Sequence, residues 1–338
     1  MDVAVAVAVV GGQVAEGLEE VTDDLAALDG RGRWVVVLPF DGPPVCARFA
    51  RWRPAPAPHW RPQPVPGWTS NVSREAFMAG VAEVREAIAA GDVYQVNLCR
   101  RLSAPLPAGF DFGLFGRSLL AAHPAPHAAL VSLPSVGVQV ASASPERFLS
   151  RSGPVVRSQP IKGTGASAPA LAASAKDRAE NVMIVDLVRN DLGRVCEYGS
   201  VAVDALCAVE AHPGLFHLVS TVSGRLRAGV GWPELLAATF PPGSVTGAPK
   251  RAALEWIRRL EPAPRSVYCG AVGWVDADRQ EGDLNVAIRT FWVEDGRLHL
   301  GVGGGVTWDS TPEGEWDETE LKARRLLAVA AAARTAVA

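Results

Sequence analysis

The chain has 338 residues, a formal net charge of −3 and 48% apolar side chains, enough to bury a substantial core in one large domain or two ordinary ones. No block of like charge is long enough to follow a phosphate backbone, which argues against nucleic acid and for a small ligand. Five cysteines (Cys46, Cys99, Cys196, Cys207, Cys269) are odd in number and form no C-x-x-C pair, which fits buried thiols in a reducing cytoplasm better than disulfides or zinc.

The chain opens on MDVAVAVAVVGG, with eight apolar residues after Asp2 and no basic residue before them. That run is too short to span a bilayer and wrongly shaped for a signal peptide, so a strand is predicted and no membrane partner is expected. Residues 54–66 hold six prolines in thirteen positions, which excludes helix and predicts an extended connector. A boundary follows, with a short N-terminal region, 1–66, before it and the main domain, 67–338, after it.

Ser73 can cap a helix on which Phe77, Val81, Val84 and Ile88 keep helical spacing and which Gly91 stops. VYQVNLCR then reads as a strand with Tyr94, Val96 and Leu98 on one face and Gln95, Asn97 and Cys99 on the other. The second face is either solvated or the wall of a polar site. KDRAENVMIVDLVRNDLG predicts a helix with Met183, Ile184, Leu187 and Val188 as its apolar stripe, Gly193 as its stop and Glu180 one turn before Ile184. AIRTFWV, the turn EDG and RLHLGVGGGV form a predicted hairpin that brings Arg289 roughly opposite the start of the glycine run. Ser310 and Glu313 have capping-box spacing and Pro312 suits a first turn, so a last helix starts there. Helices mixed with hairpins, rather than alternating with single strands, predict an α+β fold with largely antiparallel sheets.

On the last helix Glu315 and Glu318 are three apart and Lys322 four further on, so two carboxylates and an ammonium share one face. A solvated, self-paired face is one reading. The other adds Glu180: carboxylates from two helices can hold Mg²⁺, an ion that takes few protein ligands and completes its octahedron with water and an anionic substrate. The glycines at 301, 303, 304 and 305 match neither the dinucleotide fingerprint nor the P-loop spacing. They either let backbone N–H groups approach a compact anion, with Arg289 gripping a carboxylate nearby, or form a β-bulge near a sheet edge. No G-x-S-x-G elbow or H-E-x-x-H helix is present, and of six histidines only His217, in FHLVSTVSG, lies in a motif-like stretch. Lysine is rare, four against 29 arginines, and Lys162 stands in QPIKGTG between an apolar strand and a glycine turn. Where a bias replaces indifferent lysines by arginine, the survivors Lys162, Lys176, Lys250 and Lys322 are expected to be enriched at positions that need an ammonium.

Taken together, GDVYQVNL, SPERFL, PIKGT, KDRAENVMIVDLVRNDLG, HLVSTVSG, PPGSVTGAPK, YCGAVGW, AIRT, GVGGGV and DSTPEGEWDET occur in the order seen in chorismate-utilising enzymes. Over roughly residues 73 to 330 the chain resembles that family. Within it the likeness is greatest to component I of the aminodeoxychorismate synthases, with the anthranilate synthase large subunits as nearest relatives. The resemblance implies two antiparallel sheets packed on one another with helices outside, and a chorismate-binding catalytic domain over 67–338. It also implies Mg²⁺ between Glu180 and the Glu315/Glu318 pair, holding the ring carboxylate of chorismate. Arg289, Tyr268 and the backbone of Gly303 and Gly305 would hold the enolpyruvyl carboxylate, and Lys322, His217 and Thr164 would line the same pocket.

Subclass turns on a few positions, and the wording of PPGSVTGAPK, with Ser244 and Thr246, is more similar to the aminodeoxychorismate synthases than to the anthranilate synthases. Isochorismate and salicylate synthases, which resemble this pattern, place a lysine base where this chain has Gln95, an amide that cannot deprotonate water. Anthranilate synthases carry a small residue where this chain has Lys162, whereas aminodeoxychorismate synthases have lysine. By that carry-over Lys162, as a neutral amine, attacks ring carbon 2 while Glu146 in SPERFL protonates the departing 4-hydroxyl, and ammonia then adds at carbon 4 and expels the lysine. The other reading of Glu146 is a surface ion pair with Arg147. No cysteine has a glutaminase-like setting, so ammonia is expected from a separate glutamine amidotransferase subunit. The rival expectations are amination at carbon 2, as in anthranilate synthases, and a non-catalytic chorismate-binding protein.

Overall fold

The computed structural model describes residues 6–61, 63–212 and 215–331, so residues 1–5, with the start of the apolar N-terminal run, lie outside the described residues. That run continues as β1 (Val7–Val10) and β2 (Gln13–Thr22), followed by β3 (Arg33–Leu38) and β4 (Val45–Pro54). Gly11 and Gly12 join β1 to β2 with φ of 55° and 72°, the two positive values that a type I′ hairpin turn requires. Past the proline-rich stretch come β5 (Thr69–Ser70), α1 (Arg74–Ala90), β6 (Gln95–Pro105) and α2 (Phe112–Ala122). The middle of the chain forms β7 (His127–Leu133), β8 (Val138–Ser144), β9 (Arg147–Ser152), β10 (Val155–Gln159) and β11 (Ile161–Gly165). It continues through α3 (Ala168–Ala173), α4 (Ala175–Gly193), β12 (Ala202–His212) and β13 (Leu215–Arg225). The last third supplies α5 (Trp232–Thr239), β14 (Gly247–Ala248), α6 (Lys250–Leu260), β15 (Ala271–Asp276), β16 (Glu281–Val286), β17 (Thr290–Glu294), β18 (Arg297–Val306) and α7 (Pro312–Ala330).

Every pairing among these strands is antiparallel. One half of the sheet runs β6–β18–β17–β8–β7–β1. Through the β1–β2 hairpin it continues as β2–β4–β3–β15–β16–β9–β10–β13–β12. β11 also pairs with β13, and the short β5 and β14 pair with β6. Both halves feed the largest core, with Ala129, Val131 and Val140 from the first packed among Trp34, Val36, Leu149 and Val272 of the second. The two packed layers are thus halves of one continuously hydrogen-bonded sheet. Strands from both sides of residue 66 take part, since β3 pairs with β15 and β1 with β7.

Helices cover the outside, as expected for this α+β fold. α2 and α7 bury Phe115, Leu119, Leu326 and Val329 against Phe291 and Leu300, while α1 and α6 pack on the start of β6. Ser73 accepts a hydrogen bond from the Ala76 N–H at the start of α1, and Gly91 ends that helix at φ 85°. The β17–β18 hairpin turns on Asp295 and Gly296, both at positive φ. All five cysteines are buried and free. Among the described residues no helix is long and apolar enough to cross a membrane.

Three local expectations shift. Tyr94 lies just outside β6 and is 71% exposed, whereas Gln95, Asn97 and Cys99 are buried, so the polar face of this strand points inward. The cap of α7 is Thr311, whose side chain accepts from the Gly314 N–H; the Ser310 hydroxyl is occupied in donating to Glu315 Oε1 at 2.6 Å. On α4 the buried stripe runs through Asn181, Ile184, Val185, Val188 and Leu192, with Met183 and Leu187 only partly buried. The rotation follows from Asn181, which turns inward to donate to the Leu218 carbonyl of β13 and to accept from the Ser220 hydroxyl.

Candidate active site

The glycine run of β18 is the floor on which the predicted residues meet. Its pairing with β6 is unbroken from Arg297 opposite Pro105 to Val306 opposite Val96, so the run is not a bulge. Close approach explains it instead. A methyl group on Gly305 would overlap Gln95 Nε2 and stand 3.3 Å from Lys162 Nζ. On Gly304, which faces the other way, it would lie 2.6 Å from Glu315 Oε2 and 3.5 Å from Glu318 Oε1. One strand therefore carries an amine and an amide on one face and a carboxylate pair on the other. Beyond Leu300, β17 no longer pairs with β18 and its outer edge is open among the described strands.

Lys162 is half-buried on β11, whose register with β13 shifts between Lys162 and Thr164. Beside that shift Thr164 Oγ1 sits 2.9 Å from Nδ1 of the buried His217. Desolvation pushes the Lys162 ammonium below its ordinary pKa; Glu180 and Glu146 oppose the shift and Lys322 adds to it. Glu146 is 4% exposed, and burial pushes its carboxyl up to about 7 against the Ser244 side chain, Lys162, the Ile161 N–H and Arg289, which all favour the anion. The surface pairing of Glu146 with Arg147 does not form, because Arg147 is held by Asp283 at 2.8 Å and by Gln159.

Gln95 is fully buried, yet neither its amide oxygen nor its nitrogen has a hydrogen-bond partner. Leaving such a group unsatisfied costs about 1–3 kcal/mol, so its position at Gly305 marks a surface kept for a ligand or water. Arg289 is half-buried with φ 50°, and no carboxylate lies within ion-pair distance of its guanidinium among the described residues. Burial and Arg325 weaken its hold on the proton while Glu146 strengthens it. Tyr268 is buried in the main core with its ring against Gly301, two residues before Gly303. Burial and the nearby Cys269 and Cys99 push its hydroxyl well above the usual range, so it stays a neutral donor.

On the other face Glu315 is buried, and burial raises its carboxyl against the donating Ser310 hydroxyl. Partial desolvation works the same way on the half-exposed Glu318, but Lys322, Lys162 and Lys176 outweigh it and hold that carboxyl below its usual range. Lys322 Nζ lies 2.5 Å from Glu318 Oε1 and also donates to the Gly303 carbonyl at 2.8 Å. Glu180, 17% exposed on α4, is raised by burial against Lys162 and Lys176, with Lys176 Nζ at 4.0 Å. An all-carboxylate donor set in which Glu180 and Glu315 each feel the charge of Glu318 suits a hard dication. Among the described residues the three do not converge to ligand distance, and lysine ammonium groups offset their charge instead.

Two features went unread in the sequence as parts of a site. One is Ser244, which faces Glu146. The other is the pair of buried Asp191 and half-buried Lys250, signalled only by the scarcity of lysine.

The sequence matches the family described as chorismate binding enzyme over residues 21–328, and the chain belongs to that family. It is 44% identical over 269 residues to anthranilate synthase component 1 of Streptomyces coelicolor, covering 77% of this chain and 52% of that one. To aminodeoxychorismate synthase component 1 of Escherichia coli it is 41% identical over 268 residues, covering 76% and 58%. The chain thus spans between 52% and 58% of the length of these two relatives. Its fold matches the crystal structure of anthranilate synthase component I from Streptococcus pneumoniae with a TM-score of 0.77 at 27% identity, covering 88% of this chain and 81% of that one. The menaquinone-specific isochorismate synthase of Escherichia coli shares the fold with a TM-score of 0.78 at 18% identity, covering 96% and 88%.

Proposed function

We propose that this chain aminates chorismate at ring carbon 4, giving 4-amino-4-deoxychorismate, with ammonia delivered by a separate glutamine amidotransferase. The observation that carries this reading is Lys162, a half-buried amine of lowered basicity that faces Gly305 and shares its field with a protonatable Glu146.

In the first step the neutral Lys162 nitrogen bonds to ring carbon 2, both ring double bonds shift by one position toward carbon 4, and the carbon 4–oxygen bond breaks as Glu146 gives its proton to the departing hydroxyl, which leaves as water. In the second, ammonia bonds to carbon 4, both double bonds shift back and the carbon 2–lysine bond breaks. The electron pair returns to the lysine nitrogen, and the Glu146 carboxylate takes the proton that the adding ammonia gives up. An arginine at 162 would stay protonated and could not begin this sequence. Gln95 supplies an amide where water attack would need a base, so hydroxylation of the ring is disfavoured. Arg289, with no carboxylate within ion-pair distance among the described residues, is suited to the enolpyruvyl carboxylate, with the Tyr268 hydroxyl and the open edge of β18 at Gly303 and Gly305 as further donors. Lys322, His217 and Thr164 line the same space. Glu180, Glu315 and Glu318 would hold Mg²⁺, which when bound supplies positive charge for the ring carboxylate.

The 44% identity to an anthranilate synthase component keeps amination at carbon 2 as the second reading. To separate the two, the chain is incubated with chorismate, Mg²⁺ and an ammonium salt at mildly alkaline pH, with and without an added aminodeoxychorismate lyase. 4-Aminobenzoate formed only with the lyase establishes amination at carbon 4. Fluorescent anthranilate formed without it moves the chemistry to carbon 2, and tight chorismate binding without turnover indicates a binding protein.

A further inference from the structure

We infer that Lys250 is a positioning residue for the general acid: it anchors the loop that carries Ser244 against Glu146. The inference rests on the reading of Glu146 as the acid, and its test is built to fail separately from that reading.

Lys250 opens α6 and is half-buried with all three of its protons used. Its Nζ donates to Asp191 Oδ2 at 2.5 Å, to the Thr239 carbonyl at 2.9 Å and to the Pro241 carbonyl at 2.9 Å. One ammonium thereby joins α4, the end of α5 and both ends of the loop 241–250. The side chains of Lys250 and Asp191 are 16% and 7% exposed, far from the solvated geometry in which such pairs contribute little. Inside the loop, Thr246 Oγ1 donates to the Pro242 and Gly243 carbonyls at 3.2 Å and closes a single turn around Ser244. Beyond it, Ala248 pairs with Gln95 across β14 and β6, so the same loop reaches the unsatisfied amide.

The tether and the acid are neighbours. Glu146, Ser244, Asp191, Thr239 and Pro242 all border one small cavity of about 20 Å³. A shift of the Thr239 and Pro241 carbonyls therefore reaches Ser244 with no packed layer between. The charged groups acting on Glu146 are Lys162 and Arg289, with the Ser244 side chain and the Ile161 N–H as neutral donors; those acting on Asp191 are Lys250 and Arg194. Lys250 is thus coupled to Glu146 through Ser244 and not through its own charge. Ser244 favours the carboxylate, so loosening the loop lets Glu146 keep its proton to higher pH.

The test follows the Glu146 carboxyl by ¹³C NMR titration of the substrate-free protein, assigned with Glu146→Gln. Lys250→Met alone would leave Asp191 buried without its partner, so the main variant is Lys250→Met/Asp191→Asn, which removes both charges. We expect its Glu146 titration to move up by about one pH unit, as in Ser244→Ala, and the triple variant to show no further shift. Lys250→Arg, which keeps the charge but not the compact three-point contact, is expected to give a smaller upward shift and serves if the double variant does not fold. An unchanged Glu146 titration in a folded tether variant, or a shift that adds to that of Ser244→Ala, overturns the inference. If the titration moves as expected while the alkaline limb of kcat stays put, the positioning role stands and the assignment of Glu146 as the acid fails.

Discussion

The two faces of β18 handle charge in opposite ways. At Gly305 the neighbours are an amine whose basicity burial lowers and a buried amide without partners. At Gly304 the neighbours are carboxylates whose charge is offset by Lys322, itself half exposed, and by Lys176. The first face is costly and rigid, as expected where a nucleophile must stay neutral; the second is balanced and able to exchange its counter-ions. Reactivity should therefore be brittle on one side of the strand and adjustable on the other.

The largest expected effect is at Lys162. Lys162→Ala should lower carbon-4 amination by about 10³-fold or more. By clearing the route that the side chain occupies, it should also allow a trace of carbon-2 amination, read as anthranilate fluorescence. Undiminished carbon-4 product would show that Lys162 only excludes water. Next comes Gly305→Ala, whose methyl collides with Gln95 and crowds Lys162. A displacement of this kind at the reacting groups should cost about 10²-fold in kcat/KM. Gly304→Ala meets the ends of two glutamate side chains rather than an unsatisfied amide and the amine, and with Glu318 half exposed it should cost roughly tenfold or less. Equal losses from the two alanines would mean that the faces do not differ in tolerance.

The brittle face also carries a pH signature. Burial holds Glu146 at about 7 against an ordinary 4.5, so the folded state prefers the protonated acid. Its contribution to stability is fully present below about 4.5 and is lost as pH rises through about 7, amounting to about 3 kcal/mol when complete. Glu146→Gln should accordingly raise the melting temperature at pH 8 relative to wild type and leave it little changed at pH 4, while removing the alkaline limb near 7 from the pH profile of any residual amination. Equal melting shifts at both pH values would place the proton elsewhere in the cluster.

Local chemistry was the legible part of this molecule. Ser73, Gly91 and the Asp295–Gly296 turn each act within a few residues, and each formed as the sequence predicts. The joining of β1 to β7 and β3 to β15 has no local signature, so the continuity of the sheet could not be read. The site divides in the same way. Lys162 stood out because lysine is scarce, and alternation put Gln95, Asn97 and Cys99 on one face, but a period of two does not say what lies opposite. The cap of α7 was displaced from Ser310 to Thr311 by a bond from Ser310 to Glu315, a choice between adjacent hydroxyls that spacing does not resolve. Asp191 and Lys250 are 59 residues apart and meet only through the packing of α4 against the 241–250 loop.

The smallest expected effect tests the adjustable face. The Glu318 and Lys322 side chains are each 48% exposed, so their ion pair contributes only about 0.5 kcal/mol and Lys322→Met should leave the melting temperature almost unchanged. The ammonium nevertheless competes with any cation for the same carboxylate. If Glu180, Glu315 and Glu318 hold Mg²⁺, removing that competitor should tighten Mg²⁺ binding a few-fold by calorimetry without substrate, while Glu318→Gln should weaken it. Loss of affinity in Lys322→Met would mean instead that its bond to the Gly303 carbonyl orients the carboxylates, and the second face would then be as rigid as the first.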